Sequence, residues 1–452
     1  MGKCLILTCL TMVYFVLPLS SQGHDHTADS TGTHVHDGHD HSGHDHSGHN
    51  HGDSHEAHGH EAHGHEAHGE HAPFDPAATA IHHISDANVY TILEGIGFRI
   101  PLPVILYAPS KGWDVFLSSK FHVGHHEDGH ASWNGYVMHH GSVYRVMDDA
   151  FPAEGSAEIQ SFTHKDEEVN GKKIQVNYAL SEGKEYRLDA RSTLDGGILG
   201  GGITSFYDFS VTKNVLSMIL VSLFLFWAFR SAVKAYRARP DKAPRGIQAV
   251  LEPMFTFIRD EVAIPFIGKE KYLRFLPLLM SIFFFILGLN LFGQVPFLGG
   301  INVTGNLTVT MIMAVVVFFV VNLNGKKDYW MHVFWMPNVP VAIKPLLAAV
   351  EIMGLFIKPL TLMLRLAGNI SAGHIAILSF IGLIFIFGES GASMGGGVIG
   401  TAMAIPLTLF MMAIELIVAF VQAFVFTILT ASYIGAAIEE HHHADHHHEG
   451  HH

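Results

Sequence analysis

The chain has 452 residues, 48% hydrophobic and 15% charged, with a formal net charge of -14. The acidic balance excludes nucleic acid as a partner. The apolar content is so uneven that the mean describes neither half: up to about Asp208 the sequence is polar and His-rich, and from Val211 long apolar runs dominate.

Residues 1–22 read as a signal peptide. Lys3 supplies the positive start, Cys4 to Leu19 the apolar core, and Ser20-Ser21 small residues for cleavage. An uncleaved anchor helix is the other reading of so short a run. Cys4 and Cys9 both lie inside this segment, so the mature, exported part is expected to carry no disulfide. Residues 23–73 are low-complexity, with the pentad Glu-Ala-His-Gly-His repeated at 56–60 and 61–65. No apolar residue recurs to seed a core, which predicts disorder. Its imidazoles, among them His58, His60, His63 and His65, suit adventitious Zn, Cu or Ni. Physiologically the tract reads either as a chelating tail or as a solvated spacer. No other cofactor is expected.

Residues 74–207 predict a small exported β-rich domain. Short apolar stretches (Tyr90 to Leu93, Phe98 to Leu106, Ile174 to Tyr178) alternate with Gly, Pro and Asn-Gly turns. His122, His125, His126, His130, His139 and His140 cluster here, read as surface histidines with metal ligation as the alternative. No catalytic constellation appears, and the chain has no phosphate loop or nucleotide motif.

Residues 208–438 predict a membrane domain. Val211 to Phe229 is the first span, and the following Arg230, Lys234, Arg237, Arg239, Lys242 and Arg245 put its end in the cytoplasm. Gly246 to Ile267 contains Glu252, Arg259, Asp260 and Glu261 and is expected to lie along the interface. Phe275 to Phe297 crosses outward and Leu307 to Leu323 returns to Lys326-Lys327. Pro345 to Phe387 and Thr401 to Ile438 would be helices roughly 60 and 55 Å long, against about 30 Å of hydrocarbon. Moderate tilt cannot absorb that excess, so they are expected to run obliquely as a hairpin joined by the Gly-rich turn Glu389 to Gly397. A curved partner surface would require such a pair.

Ionisable groups at membrane depth are costly and usually mark an ion path. The first long helix holds Glu351, Lys358, Arg365, Asn369 and His374; the second holds Glu415, Gln422 and Tyr433. Glu351, Lys358 and Arg365 are seven apart, hence on nearly one face, with Asn369, Gly368 and Ala372 beside Arg365 on it. His374, nine residues beyond Arg365, points about half a turn away toward a different neighbour. Glu415, Gln422 and Tyr433 share a face of their own helix. Tyr433 reads as polar lining or as core packing, and Lys358 as part of the path or as an interfacial snorkelling residue.

Arg365-Leu366-Ala367-Gly368-Asn369 with Ala372-Gly373, the upstream Glu351 and Lys358-Pro359, and Val421-Gln422-Ala423-Phe424-Val425-Phe426 together resemble subunit a of F-type ATP synthases. Leu251-Glu252-Pro253 and Phe292 to Phe297 are similar to the family's earlier segments. The resemblance covers 208–438 and implies a non-catalytic, proton-conducting stator subunit. In this family an oblique two-helix hairpin packs against a rotor ring of c subunits, beside the b-subunit peripheral stalk and the remaining synthase subunits, in membrane lipid. It implies a bacterial inner membrane location, with a periplasmic N-terminal region and a cytoplasmic His-rich tail over 439–452.

Residue by residue, Arg365 matches the essential arginine, and His374 with Glu415 the exported-side half-channel, in an order reversed from the better-known bacterial pattern. Asn369 and Gln422 match polar positions near the arginine, and Glu351 and Thr361 the cytoplasmic-side half-channel. Ala367 stands where the family often has an aromatic. The alternative, a His-rich zinc transporter, would need clustered neutral His and carboxylate ligands within the helices. This sequence instead offers a lone His and Glu with an opposing arginine nearby.

Overall fold

The computed structural model describes residues 85–93, 98–124, 127–169, 172–192, 204–240, 242–295, 301–336, 339–388 and 393–439. The expected signal peptide, the tract with His58, His60, His63 and His65, His125, His126 and the tail beyond 439 lie outside the described residues. The described residues belong to one compact unit.

The β-rich region is built of antiparallel pairs. β1 (Val89–Leu93) pairs with β2 (Phe98–Pro101), and β3 (Pro103–Ala108) lies between β4 (Gly112–Leu117) and β10 (Tyr207–Asp208). β5 (Tyr136–His139) and β6 (Ser142–Arg145) form a hairpin, and β7 (Ser161–Val169), β8 (Lys172–Ser181) and β9 (Lys184–Arg187) a meander. Along β3, Val104, Leu106 and Ala108 alternate into a core with Phe121, Tyr136, Met138 and Phe206. The apolar stretch Phe98 to Leu106, expected as one strand, breaks at Leu102. Prolines on both sides, Pro101 and Pro103, have no amide to donate to a continuous ladder. Asn134-Gly135 forms the expected tight turn, with φ of 55° and 77° and hydrogen bonds exchanged between Trp133 and Tyr136 at 2.9 and 3.0 Å.

Five helices among the described residues are long and apolar enough to cross a membrane. They are α1 (Lys213–Ala238), α3 (Tyr272–Gly293), α4 (Leu307–Asn324), α6 (Lys344–Phe387) and α7 (Met394–Ile438). α2 (Ile247–Phe257), continued by a π turn at Ile258–Ala263 and a last helical turn at Ile264–Ile267, occupies the stretch expected at the interface. α5 (Lys327–Phe334) is a short amphipathic piece before α6.

α1 runs past the expected Phe229 to Ala238, because nothing breaks it until Arg239, whose backbone Pro240 restricts. α7 begins at Met394, seven residues before the expected Thr401, so part of the Gly-rich turn is helix. Ser393 is the reason: it caps the helix, its hydroxyl accepting from Gly396 N at 3.1 Å. The glycines there serve close packing. A Cβ at Gly396 would strike the Phe387 carbonyl, and one at Gly400 would sit 2.9 Å from the Leu383 carbonyl.

α3 is the buried centre, with 72% of its most apolar 18 residues inside the chain; the corresponding figure for α6 is 11%. Within the packed layer, Asn290 of α3 donates to the Ala419 carbonyl of α7 at 3.1 Å and accepts from Thr304 Oγ1 at 2.6 Å. The far end of α7 is tied by Lys326 N to the Ala437 carbonyl at 3.0 Å and Lys271 Nζ to the Ile438 carbonyl at 3.3 Å. Both satisfy carbonyls a helix leaves unpaired, and the ammonium faces the negative end of the dipole.

The β-rich region is seated on the start of α1. Lys213 N donates to the Ala87 carbonyl at 2.8 Å, Asn214 N to Asp86 Oδ1 at 3.2 Å, and Val211 N to the Pro103 carbonyl at 3.0 Å. Tyr90 and Leu102 join the apolar core of the helices. Asp86 is wholly buried there. Burial pushes its carboxyl up to about 6, against opposing contributions from the Thr212 hydroxyl, Lys213 and the Asn214 amide.

This seat makes stability depend on pH. The folded value lies above the ordinary 3.8, so folding takes up a proton between the two values; stability falls as pH rises through that window, and the loss is complete above about pH 6. Asp86→Asn keeps an acceptor for Asn214 N and removes the charge. It is expected to raise the melting temperature at pH 8, recovering up to about 3 kcal/mol, and to flatten its slope between about pH 4 and 6. A variant with an unchanged slope would contradict this assignment. For the helix layer, Asn290→Leu is expected to cost about 1–2 kcal/mol in detergent unfolding, since it strands the Thr304 hydroxyl.

Candidate functional site

The site is organised by the two faces of α6. On the outward face Arg365, Gly368, Asn369 and Ala372 are all exposed, and a Cβ built on Gly368 would meet nothing within 4 Å. Lys358 and Thr361 are exposed along the same helix, and the Thr361 hydroxyl donates to the Ile357 carbonyl at 2.9 Å. The inward face carries Leu362, Leu366 and Ile370 into the apolar core. A guanidinium is thus held on a helix face of small residues that is open among the described residues.

Nine residues beyond Arg365 the helix has turned, and His374 Nδ1 lies in direct contact with Glu415 Oε1 of α7. Glu415 is 2% exposed, and its Oε2 is buried with no hydrogen-bond partner among the described residues. Gly373 permits the contact, since a Cβ there would sit 3.1 Å from the Glu415 carboxyl carbon. Gln422, two turns further along α7, is buried at 7% exposure.

Polar groups gather on the inward side of this pair. Ser371 Oγ donates to the Gly305 carbonyl at 3.2 Å and accepts from Asn302 Nδ2 at 3.4 Å. Asn302 Oδ1 in turn accepts from Gly305 N at 2.8 Å. With Asn290 and Thr304, these residues make a polar patch on the α3–α4 connection. Sequence reading missed all four; the available signals were Asn290 inside the run Phe283 to Phe292 and the polar cluster Asn302 to Asn306.

A second polar crevice lies toward the α5 end, lined by Asn322, Tyr329, Lys358, Leu362 and Tyr433. Tyr329 donates to Asn322 Oδ1 at 3.2 Å, and Lys358 Nζ sits 5.6 Å from the Tyr433 ring centroid. Burial first, then the charge of Glu351, pushes the Tyr329 hydroxyl above its ordinary range, so Glu351 belongs to this neighbourhood. Tyr433 packs against the apolar core of the helices and has Lys358 over its ring. Asn322 and Tyr329 were also missed, because both sit at helix ends where polar residues are common.

Lys358 lies seven residues before Arg365 and His374 nine after it, so about 10 and 14 Å of helix separate the arginine from the two polar regions. The arrangement offers two groups of titratable and hydrogen-bonding side chains, with a permanent cation between them along the helix.

A family described as "ATP synthase A chain" matches residues 214–435, and a domain of unknown function (DUF8433) matches 79–161. An ATP synthase subunit a of Myxococcus xanthus is 36% identical over 272 residues, covering 58% of this chain and 84% of that one. A Chlorobium phaeobacteroides subunit a is 34% identical, covering 55% of this chain and 70% of the relative. An Anaeromyxobacter subunit a is 37% identical over 246 residues, and the chain spans 57% of its length. With this likeness running through every helix of the site, the chain belongs to the ATP synthase subunit a family.

Proposed function

We propose that this chain is the proton-conducting, non-catalytic stator subunit of an F-type ATP synthase. In this reading it lies in a bacterial inner membrane with the β-rich region periplasmic and the C-terminus cytoplasmic. The basic residues after α1 and the Lys326-Lys327 pair support that orientation. The observation that carries the reading is the division of α6: Arg365 on an open face of small residues, His374 half a turn away against Glu415.

The open face is suited to a rotating ring of c subunits, whose approach needs room beside the guanidinium. The b-subunit peripheral stalk and the other synthase subunits complete the assembly. Arg365 stays charged at any physiological pH. A ring carboxylate passing it would lose affinity for its proton and release it. The same charge opposes a proton crossing directly from one polar region to the other. His374 and Glu415 form the exported-side half-channel, relaying protons between imidazole and carboxylate, with Asn369 and Gln422 orienting water beside the ring. Glu351 and Thr361, with Lys358 and Tyr433, line the cytoplasmic-side half-channel. A zinc-transporter reading finds no support: His374 and Glu415 are two ligands, and a divalent ion needs more.

Arg365→Ala in the assembled complex is expected to lower ATP-driven proton pumping by about tenfold or more and to raise passive leak. Retained coupled pumping would defeat the assignment. For the relay, His374→Ala and Glu415→Ala are each expected to impair pumping more than the double exchange His374→Glu with Glu415→His, which restores one acid and one imidazole in the other order. Equal losses in all three would mean that the two side chains do not act as a pair.

A further inference from the structure

Away from the membrane helices, one group of metal-type ligands comes together among the described residues: Asp128, His139 and His140. One ligand atom from each lies within 4.8 Å of the other two. The two histidines end β5 and begin the two-residue turn His140-Gly141, where φ is 46° and 71°. That conformation suits the glycine and is uncommon for a histidine. It sets the two imidazoles side by side, ring centroids 4.1 Å apart. Phe162 stacks on the His139 ring at 4.3 Å, so its orientation is held from another side.

Asp128 completes the group from the neighbouring loop. Its Oδ1 accepts from His140 N at 2.7 Å and pairs with His139 Nδ1 at 2.8 Å. The loop is sewn to the hairpin by Gly129 N to the Met138 carbonyl at 2.8 Å and Gly141 N to the Glu127 carbonyl at 3.0 Å. A second carboxylate, Glu127, is buried behind the same turn, and its Oε2 has no hydrogen-bond partner among the described residues.

We propose that Asp128, His139 and His140 form a binding site for a zinc-class divalent metal ion on the β-rich domain. Two imidazoles and one carboxylate suit such an ion, whereas magnesium and calcium take oxygen ligands alone. Three protein ligands leave a fourth tetrahedral position for water. The ligands come from a fixed turn and a loop pinned to it, so binding needs little rearrangement and ties the two together. The Gly141 carbonyl accepts from Asn88 N at 2.7 Å, and Ala87 beside it takes the first amide of α1. A bound ion therefore stabilises the support on which α1 begins.

The test uses histidine footprinting of the full chain with diethylpyrocarbonate, read residue by residue by mass spectrometry. Residue-level reading separates this site from the His-rich tract. At buffered free zinc, labelling of His140 is expected to fall while that of the exposed His164 stays constant. Magnesium at the same concentrations is expected to protect neither. In Asp128→Asn and His139→Gln, the zinc concentration for half-protection of His140 should rise about tenfold or more, with His164 still reacting as in the wild type. Absence of zinc protection at wild-type His140, equal protection by magnesium, or unshifted half-protection in both variants would each overturn the proposal. The wild-type comparison decides alone if a variant fails to fold.

Discussion

The contact between His374 and Glu415 sets the register on which the membrane domain depends. Both side chains are polar and lie where water is scarce, so each is costly unless it meets the other. Their meeting fixes the rotation of α6 about its own axis. Because α6 is a regular helix, that rotation decides where every other residue on it points. Arg365, half a turn round and about 14 Å along, is thereby carried to a face left exposed among the described residues. The proposed division of labour between relay and separator is a consequence of helix periodicity once this one contact is made.

Close approach makes the contact affordable. Gly373 lets α7 come within reach of His374, while Gly396 and Gly400 let the hairpin close at its other end. Behind the pair, Asn290 bridges α3 and α7, and the Asn302–Ser371 patch ties the α3–α4 connection to α6. Hydrogen bonds of this kind hold helices together in a medium where apolar surface alone gives no preference for one partner over lipid.

The β-rich region adds a different constraint. It supplies acceptors for the first amides of α1, so the domain and the helix end are built as one joint. Asp86 makes this joint sensitive to acidity, and the hairpin one hydrogen bond away carries Asp128, His139 and His140. The β-rich region seated on α1 is thereby given two features that respond to the surrounding solution, one of them the proposed metal site.

The hydrophobic pattern alone determined the number of membrane helices, the abnormal length of the last two and the half-turn between Arg365 and His374, because helix periodicity and bilayer thickness are local rules. It also located Glu415, since a lone carboxylate in an apolar run stands out. Helix ends were less legible: α1 and α7 extend beyond the expected limits because a cap at Ser393 and the Arg239-Pro240 stop outweigh composition. Strand β7, written Ser-Phe-Thr-His-Lys-Asp-Glu-Glu-Val, shows no apolar alternation and exists through pairing with β8. Only the tertiary structure decided that His374 meets Glu415, that Asn290 and Ser371 join their surroundings, and which histidines of the β-rich domain converge with Asp128. These are contacts between residues up to 129 positions apart, as between Asn290 and Ala419, and no spacing along the chain encodes which distant neighbour folding brings near.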